Sequence, residues 1–330
     1  MSKKKKLNKE RNKNKKPISS KSSVLYNCID CFGDTHKGIV RANNEDAFVC
    51  KKIWDDKAVL AAAIDGLGGY EGGEEAARIA KNVIVDYLEA SHNGDRIELL
   101  KQAVTSANNT IFQKSRSDDR YRRMGCVLTA IIVDLENKKV NMAHVGDSRL
   151  YCFHDNVLRK LSHDHSFVGY KEESGDLTEE QAMHHPYRNV VDRVVGHESH
   201  LASDKDFIEA EVFPLEPYTT YLLCSDGLTD MITSAAISGI LDQSCCIKDK
   251  VDALIKAALE AGGKDNVTVV LVDYSEDKRD ADQGAHSFKQ KKETVELDHD
   301  MDNRHYKLWV VAVVFLVLGF IIGYIVGGVL

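Results

Sequence analysis

Five short apolar runs rich in β-branched residues constrain the fold of this chain most strongly. Each is bounded by charged, polar or glycine residues, which indicates a buried strand. The runs are Ala58–Ile64, Cys126–Leu135, Val140–Val145, Thr220–Ser225 and Asn266–Asp273. They occur in consecutive pairs, and this order argues against the strict alternation of strand and helix in a doubly wound parallel sheet. The sequence therefore predicts antiparallel or mixed sheets.

Helical periodicity appears between the strand runs. Apolar residues recur at helical spacing from Ala76 to Leu88, from Leu100 to Ile111 and from Val251 to Ala258. Such stripes bury one face of a helix, so we expect helices that cover the sheets in an α+β fold. Residues 164–196 are less regular, and Thr178 with Gln181 forms a capping pattern there. This stretch predicts an inserted flap.

The charge of the chain is unevenly distributed. The 330 residues have a formal net charge of −7, but residues 1–21 carry +9, which leaves −16 for the rest. An acidic body argues against a nucleic acid as the main partner, since phosphate binding needs a basic face. Residues 1–21 are predicted to be a basic, disordered arm. A solvated tail and a non-specific contact with a membrane or a nucleic acid both remain open for it.

The C-terminal residues 308–330 form an uncharged apolar stretch of membrane-spanning length. Trp309 suits an interfacial anchor, and Arg304 and Lys307 favour a cytoplasmic location for the preceding domain. The alternative is burial in an oligomer interface. The polar residues 275–307 would link this single-pass anchor to a folded domain at residues 22–274.

The eight cysteines do not form a metal-binding pattern of known spacing. Most lie inside apolar runs, so we expect reduced, buried thiols and a reducing compartment. Cys28 and Cys31 make a single CxxC pair, without the second pair that a zinc finger requires.

Aspartates stand where several apolar strands begin or end. Asp65, Asp147 and Asp226 follow strands, and Asp265 precedes one. A single carboxylate beside glycine is commonly a turn former. Several at one rim would repel each other unless cations neutralise them, and oxygen ligands select magnesium or manganese. Asp46, in the segment RANNED, joins this set.

Six motifs in order make the chain similar to a known family. They are Arg41-x-x-x-Glu45-Asp46, Asp65-Gly-Leu-Gly-Gly, Met124-Gly125, His144-Val-Gly-Asp147-Ser-Arg149, Cys224-Ser-Asp226-Gly-Leu and Gly263-Lys-Asp265-Asn266. The chain resembles the metal-dependent protein phosphatases (PPM, type 2C), in particular their bacterial branch. The resemblance implies a central antiparallel β-sandwich flanked by helices on both faces, with the metal site at its edge.

The resemblance also implies roles for individual residues. Asp65 would bridge two ions, the Gly66 carbonyl would bind one, and Asp226 and Asp265 would hold the other. Asp147 would share a third, weaker ion with Asp226. A further set would serve catalysis, with Arg41 binding the substrate phosphate and Glu45 and Asp46 acting through coordinated waters. Leu67 stands where eukaryotic relatives have a histidine, so the group that protonates the leaving oxygen is unassigned.

These observations predict a membrane-anchored, manganese- or magnesium-dependent protein serine/threonine phosphatase in which a metal-bridging water attacks phosphorus directly. Its expected partners are phosphorylated proteins, including a transmembrane Ser/Thr kinase. Two alternatives stay open: a catalytically silent phosphoprotein-binding module of the same fold, and a hydrolase of small phosphoesters.

Overall fold

The computed structural model describes residues 23–69, 71–201, 203–204 and 206–280. Two five-stranded sheets form its centre, with strand orders β1-β10-β9-β6-β7 and β2-β3-β4-β5-β8. The strands are β1 (Ser23–His36), β2 (Ala47–Ile53), β3 (Ala58–Leu67), β4 (Gly125–Asp134), β5 (Lys139–Val145), β6 (Arg149–His154), β7 (Val157–Lys160), β8 (Glu209–Pro214), β9 (Thr219–Cys224) and β10 (Val267–Asp280). The strand pairs β2–β3, β3–β4, β4–β5, β5–β8, β6–β7, β6–β9 and β9–β10 are antiparallel.

Seven helices lie outside the sheets among the described residues. They are α1 (Gly72–Ala90), α2 (Arg96–Ser117), α3 (Phe167–Glu173), α4 (Glu179–Met183), α5 (Asp226–Thr229), α6 (Ser234–Leu241) and α7 (Ile247–Glu260). A single 3-10 turn, Asp119–Tyr121, follows α2. The capping box predicted at Thr178 and Gln181 is present at the start of α4. The α+β sandwich with helices on both faces is confirmed.

Strand β3 shows why the sheets stack in this way. Its residues are buried on both faces, and alternate side chains pack into different cores. Val59, Ala61 and Ala63 pack between the two sheets, whereas Leu60 and Ile64 pack against α1 and α2. A strand with two buried faces needs a continuous apolar run, and AVLAAAI supplies it. A third core lies between the first sheet and helices α5–α7.

A disulfide joins the edges of the two sheets. Cys31 of β1 and Cys50 of β2 are bonded, with their Cα atoms 5.9 Å apart. This corrects the expectation that the cysteines are all reduced. The pairing depends on how the sheets stack, which spacing in the sequence does not show. Cys28, Cys126, Cys152, Cys224, Cys245 and Cys246 are free.

The compact body that carries the site spans Asn27–Glu276. No helix within the described residues is long and apolar enough to cross a membrane. The predicted arm at residues 1–21 and the anchor at residues 308–330 lie outside the described residues, as does the predicted linker after residue 280.

Candidate active site

The loop between β1 and β2 is held by one asparagine from the other end of the domain. The side-chain amide of Asn266 donates hydrogen bonds to the carbonyl oxygens of Lys37 and Asn43, at 2.9 and 2.8 Å. Its Oδ1 accepts a hydrogen bond from the backbone N–H of Glu45 at 2.8 Å. The three bonds fix the loop beside the start of β10. They thereby bring Arg41, Glu45 and Asp46 to the rim where Asp265 lies.

Arg41 lies at the open side of this rim. Its Nη2 donates to Asp265 Oδ2 at 2.7 Å, and its side chain is 49% exposed. Partial burial raises the pKa of the nearby Glu45 carboxyl, although the charge of Arg41 opposes this rise. The guanidinium therefore combines a fixed position with donors that solvent can reach.

Asp46 is held on one oxygen and left without a partner on the other. Its Oδ2 accepts hydrogen bonds from Ser225 Oγ at 2.8 Å and from Thr268 Oγ1 at 2.7 Å. Among the described residues, no group donates to its buried Oδ1. Burial raises the pKa of Asp46 to about 7, against the effect of these two hydrogen bonds. An oriented carboxylate oxygen without a donor is suited to face a cation.

Asp65 and Gly66 lie at the end of β3, where the backbone is closely packed. A Cβ atom on Gly66 would overlap the carbonyl oxygens of Gly73 and Glu45, so the position admits no side chain. Burial raises the pKa of the Asp65 carboxyl well above its usual range, and the charges of Asp46 and Asp226 add to this effect. Asp65 thus lies in the middle of the cluster of aspartates.

Asp226 and Asp147 complete the group from two further elements. Asp226 begins α5, and its Oδ1 is another buried oxygen without a partner among the described residues. Burial raises the pKa of Asp226 well above the usual range, and the charge of Asp147 raises it further. Asp147 lies in the turn after β5, where burial and the charge of Asp164 raise its pKa to about 7.

Asp230 is a member of the site that the sequence analysis did not assign. It follows Asp226 by four residues, and its charge raises the pKa values of both Asp226 and Asp147. Arg188 of the predicted flap donates to its Oδ2 at 2.8 Å. The spacing in SDGLTD was the available signal, because residues four apart share one helix face.

The histidines near the turn serve as hydrogen-bond partners. Nδ1 of His144 pairs with Thr129 Oγ1 at 2.8 Å, and its Nε2 lies 3.1 Å from the carbonyl oxygen of His163. Nδ1 of His165 accepts from the backbone N–H of Gly146 at 3.1 Å. These contacts position the turn that carries Asp147. Both ring nitrogens of His144 are thereby occupied, which argues against a metal ion at the nearby group of His144, His165 and Glu209.

The donor set fits hard divalent cations. It consists of carboxylate oxygens and one closely approached backbone segment at Gly66, and two of the oxygens are buried without donors among the described residues. The six aspartates at this rim, Asp46, Asp65, Asp147, Asp226, Asp230 and Asp265, carry more negative charge than the ion pairs of Arg41 and Arg188 can offset. Magnesium and manganese prefer such ligands.

The comparisons with known proteins agree with this geometry. The family model described as protein phosphatase 2C matches residues 33–261. The serine/threonine phosphatase stp of Listeria monocytogenes is 34% identical over 253 residues, which cover 75% of this chain and 97% of that protein. The crystal structure of the Mycobacterium tuberculosis serine/threonine phosphatase PstP/Ppp has a TM-score of 0.65 at 31% identity, and the match covers 75% of this chain and 99% of that one.

A further similar structure contains metal. The catalytic domain of the phosphatase PstP, in complex with two manganese ions, has a TM-score of 0.65 at 29% identity, covering 76% of this chain and 100% of that one. The chain belongs to the protein phosphatase 2C family and is a protein serine/threonine phosphatase. Its cofactor is manganese or magnesium.

Proposed function

We propose that this phosphatase removes phosphate from phosphoserine and phosphothreonine in proteins by direct attack of water on phosphorus, without a phosphoenzyme. The observation that carries the proposal is the pair of buried oxygens, Asp46 Oδ1 and Asp226 Oδ1, which lack donors among the described residues. Buried carboxylates without counter-charge are strongly unfavourable, so their convergence indicates a site for cations.

Each carboxylate has a place in the proposed metal site. Asp65, the Gly66 carbonyl, Asp226 and Asp265 would hold two cations, and Asp147 with Asp226 would hold a third more weakly. Glu45 and Asp46 would act through coordinated waters. When bound, the cations supply a water of lowered pKa and stabilise negative charge on the phosphoryl group.

Arg41 is the proposed phosphate-binding residue. Its planar guanidinium offers two parallel donors to phosphoryl oxygens, and Asp265 holds it in place through the 2.7 Å ion pair. A fixed arginine loses less conformational entropy when it binds the substrate, so this contact favours a productive orientation of the phosphate.

The side chains beside Asp226 support direct attack rather than covalent catalysis. Ser225 Oγ donates to Asp46 and accepts from the backbone N–H of Thr268 at 3.0 Å, so these two contacts hold it as a group that orients Asp46. Cys224 is buried, and burial raises the pKa of its thiol to about 12. Neither group is an activated nucleophile.

A metal titration tests this reaction. The full-length chain, stripped of metal, is assayed on a phosphothreonine peptide with manganese, with magnesium and with chelator, beside the Asp226→Asn variant. We expect phosphate release that depends on metal and is lost in the variant. A folded protein that binds the phosphopeptide without releasing phosphate at any metal concentration would contradict the proposal and favour the silent binding module. Turnover of nucleotides but not of phosphopeptides would favour the small-phosphoester hydrolase.

We further propose a single-pass membrane anchor at residues 308–330, with the catalytic domain in the cytoplasm. The 23 uncharged residues and the basic Arg304 and Lys307 before them support this proposal. Deletion of residues 305–330 should move the protein from the membrane fraction to the soluble fraction, whereas deletion of residues 1–21 should not. Sedimentation with membranes after the first deletion would contradict the anchor.

A transmembrane Ser/Thr kinase is the proposed substrate in the same membrane. Anchoring both proteins in one bilayer would raise their effective concentration towards each other. Co-expression with such a kinase should lower its phosphorylation with the wild-type enzyme but not with Asp226→Asn. An unchanged phosphorylation state with the active enzyme would remove the kinase from the substrates.

A further inference from the structure

A groove lined with arginines lies directly beside the six aspartates at the rim, which we call the carboxylate centre. It starts at Leu67 and Gly68, immediately after Asp65 and Gly66 in the chain. Its other wall comes from the end of α2, the 3-10 turn after it and the segment at residues 196–198. The charged residues that line it are Arg116, Arg122, Arg123, Asp119 and Glu198.

The contact between the two walls is close. Leu67 pairs with Gly125 in the register of β3 and β4. A Cβ atom on Gly68 would overlap the carbonyl oxygen of Arg123. The arginine segment is therefore in van der Waals contact with the loop that carries the central carboxylates. A polypeptide bound at the centre needs only a few residues, at about 3.3–3.6 Å each, to reach this wall.

Two of these arginines lack an ion-pair partner among the described residues. Arg122 and Arg123 are exposed, and neither forms an ion pair or a side-chain hydrogen bond with a described residue. By contrast, the neighbouring Arg120 pairs with Asp118 at 2.7 Å, and Arg78 pairs with Glu75 at 2.6 Å. Unpaired guanidinium groups in a concave surface are suited to bind carboxylate or phosphoryl oxygens.

A second groove, which shares Leu67 and Glu198 with the first, has the reverse charge. Its own charged lining includes Asp192, Asp204 and Asp206. Arg193, the one arginine among its described lining residues, lies 3.1 Å from His165 Nε2. An acidic side chain would be repelled in this groove and attracted in the first, so the two grooves give the centre a charge polarity.

We propose that the groove of Arg116, Arg122 and Arg123 binds a second acidic group of the substrate polypeptide, a carboxylate or a phosphoryl group within about five residues of the phosphorylated one. The inference rests on the proposed function, because it assigns a substrate preference to the same centre. The preference applies to one side of the phosphorylated residue only. It acts through substrate binding, so it changes KM more than kcat.

Phosphothreonine peptides with one variable position test the proposal. Glutamate, phosphoserine or neutral glutamine is placed one to five residues before or after the phosphothreonine, and kcat/KM is measured with the full-length enzyme and manganese. We expect about a tenfold preference for an acid over glutamine on one side of the phosphothreonine, from charge-assisted hydrogen bonds. The glutamate and phosphoserine peptides distinguish the two sources of negative charge.

Variants of the groove identify the residues responsible. The double variant Arg122→Gln/Arg123→Gln should lower the acid-to-glutamine ratio to about one, and Arg122→Lys/Arg123→Lys should restore part of it. The matched control is Arg120→Gln, which removes a neighbouring arginine outside the groove and should leave the ratio unchanged. A ratio within twofold of one in the wild type at every position, or a preference that survives the double variant, would overturn the inference.

The failure of the proposed function gives a different result. If wild-type enzyme releases no phosphate from any peptide or from p-nitrophenyl phosphate with manganese, the reaction itself is wrong and the inference is overturned with it. If the neutral peptide is hydrolysed but acid has no effect, only the groove proposal is overturned. A double variant that lowers kcat/KM equally for acidic and neutral peptides would show a structural role instead.

Discussion

Asp147, which is half-buried, and Asp164, which is buried, both lie near the turn after β5, yet their pKa values move in opposite directions. Burial raises the pKa of Asp147 to about 7, whereas Arg149 and Lys160 outweigh burial at Asp164 and lower its pKa. Arg149 Nε donates to Asp164 Oδ2 at 2.9 Å, and Lys160 Nζ lies 3.2 Å from its Oδ1.

The comparison separates two uses of the same side chain. Around Asp164 the chain supplies its own cations, and the resulting network stabilises the base of the flap. At the carboxylate centre, Arg41 contacts only Asp265, and Asp46, Asp65 and Asp226 are left with raised pKa values. Repulsion within the centre costs folding free energy, and metal binding offsets it. The carboxylate centre therefore serves function at a cost in stability. The network around Asp164 stabilises the fold without such a cost.

The largest expected effect follows from removing a carboxylate at the centre. Asp65→Asn should lower kcat/KM at least about 1,000-fold, because losing this proposed metal ligand removes several kcal/mol of transition-state stabilisation. The same variant should keep or raise the melting temperature of the protein in chelator, since it removes a buried, repelled charge. Steady-state kinetics and thermal unfolding measure the two effects. A lower melting temperature in chelator would contradict the expectation that the Asp65 charge destabilises the metal-free protein.

The paired region should respond in the opposite way. Asp164→Asn leaves Arg149 and Lys160 with less counter-charge in a buried place, so the free energy of unfolding should fall by about 3 kcal/mol. Denaturant unfolding measures this loss. The control is Asp176→Asn, whose exposed pair with Lys171 should contribute less than about 0.5 kcal/mol. A neutral Asp164→Asn would remove the distinction between the two regions.

The pH dependence of stability follows from the raised pKa values. In chelator, Asp46 and Asp147 have pKa values of about 7 in the folded protein against an ordinary value of 3.8. The folded state then binds more protons than the unfolded chain, so stability should fall by a few kcal/mol as pH rises from about 4 to about 7. With saturating manganese it should instead rise with pH, because the ligands must be ionised. Melting curves at several pH values, in each condition, distinguish these slopes.

The smallest effect is expected at Arg41, which forms an ion pair with Asp265 of the carboxylate centre. Arg41→Lys keeps the charge but loses the planar pair of donors, so kcat/KM on a phosphopeptide should fall about tenfold. Arg78→Lys, which alters an exposed pair with Glu75, is the matched control. An unchanged kcat/KM in Arg41→Lys would show that its charge alone suffices.

The sequence predicted the interior of the sheets far better than their edges. The five predicted runs correspond to β3, β4, β5, β9 and β10, all but one of the six interior strands. The four edge strands, β1, β2, β7 and β8, and the short interior strand β6 were missed. Edge strands are partly solvated and carry polar residues, as EAEVFP in β8 does, so their hydrophobic signal is weak.

The candidate site shows a similar division. Most of the aspartates became candidates because they stand beside an apolar run, and the structure brings them to one rim. Residues that position other residues had no such signal. Ser225 and Thr268 orient Asp46. Asn266 holds the loop that contains Asn43, although the two residues are 223 positions apart in the sequence. Contacts of this kind depend on the tertiary structure. The pairing of Cys31 with Cys50 was missed for the same reason.

The Asn266 hydrogen bonds also determine when the site can form during folding. They join the segments at residues 37–45 and 265–268, which are among the first and last parts of the body to be synthesised. The loop-closure entropy of so distant a contact is paid before it contributes stability. On a ribosome, the sheet that contains β3 and β4 can begin to assemble while the loop that carries Arg41 has no support. Competence for catalysis is therefore acquired last, after β10 has joined the sheet.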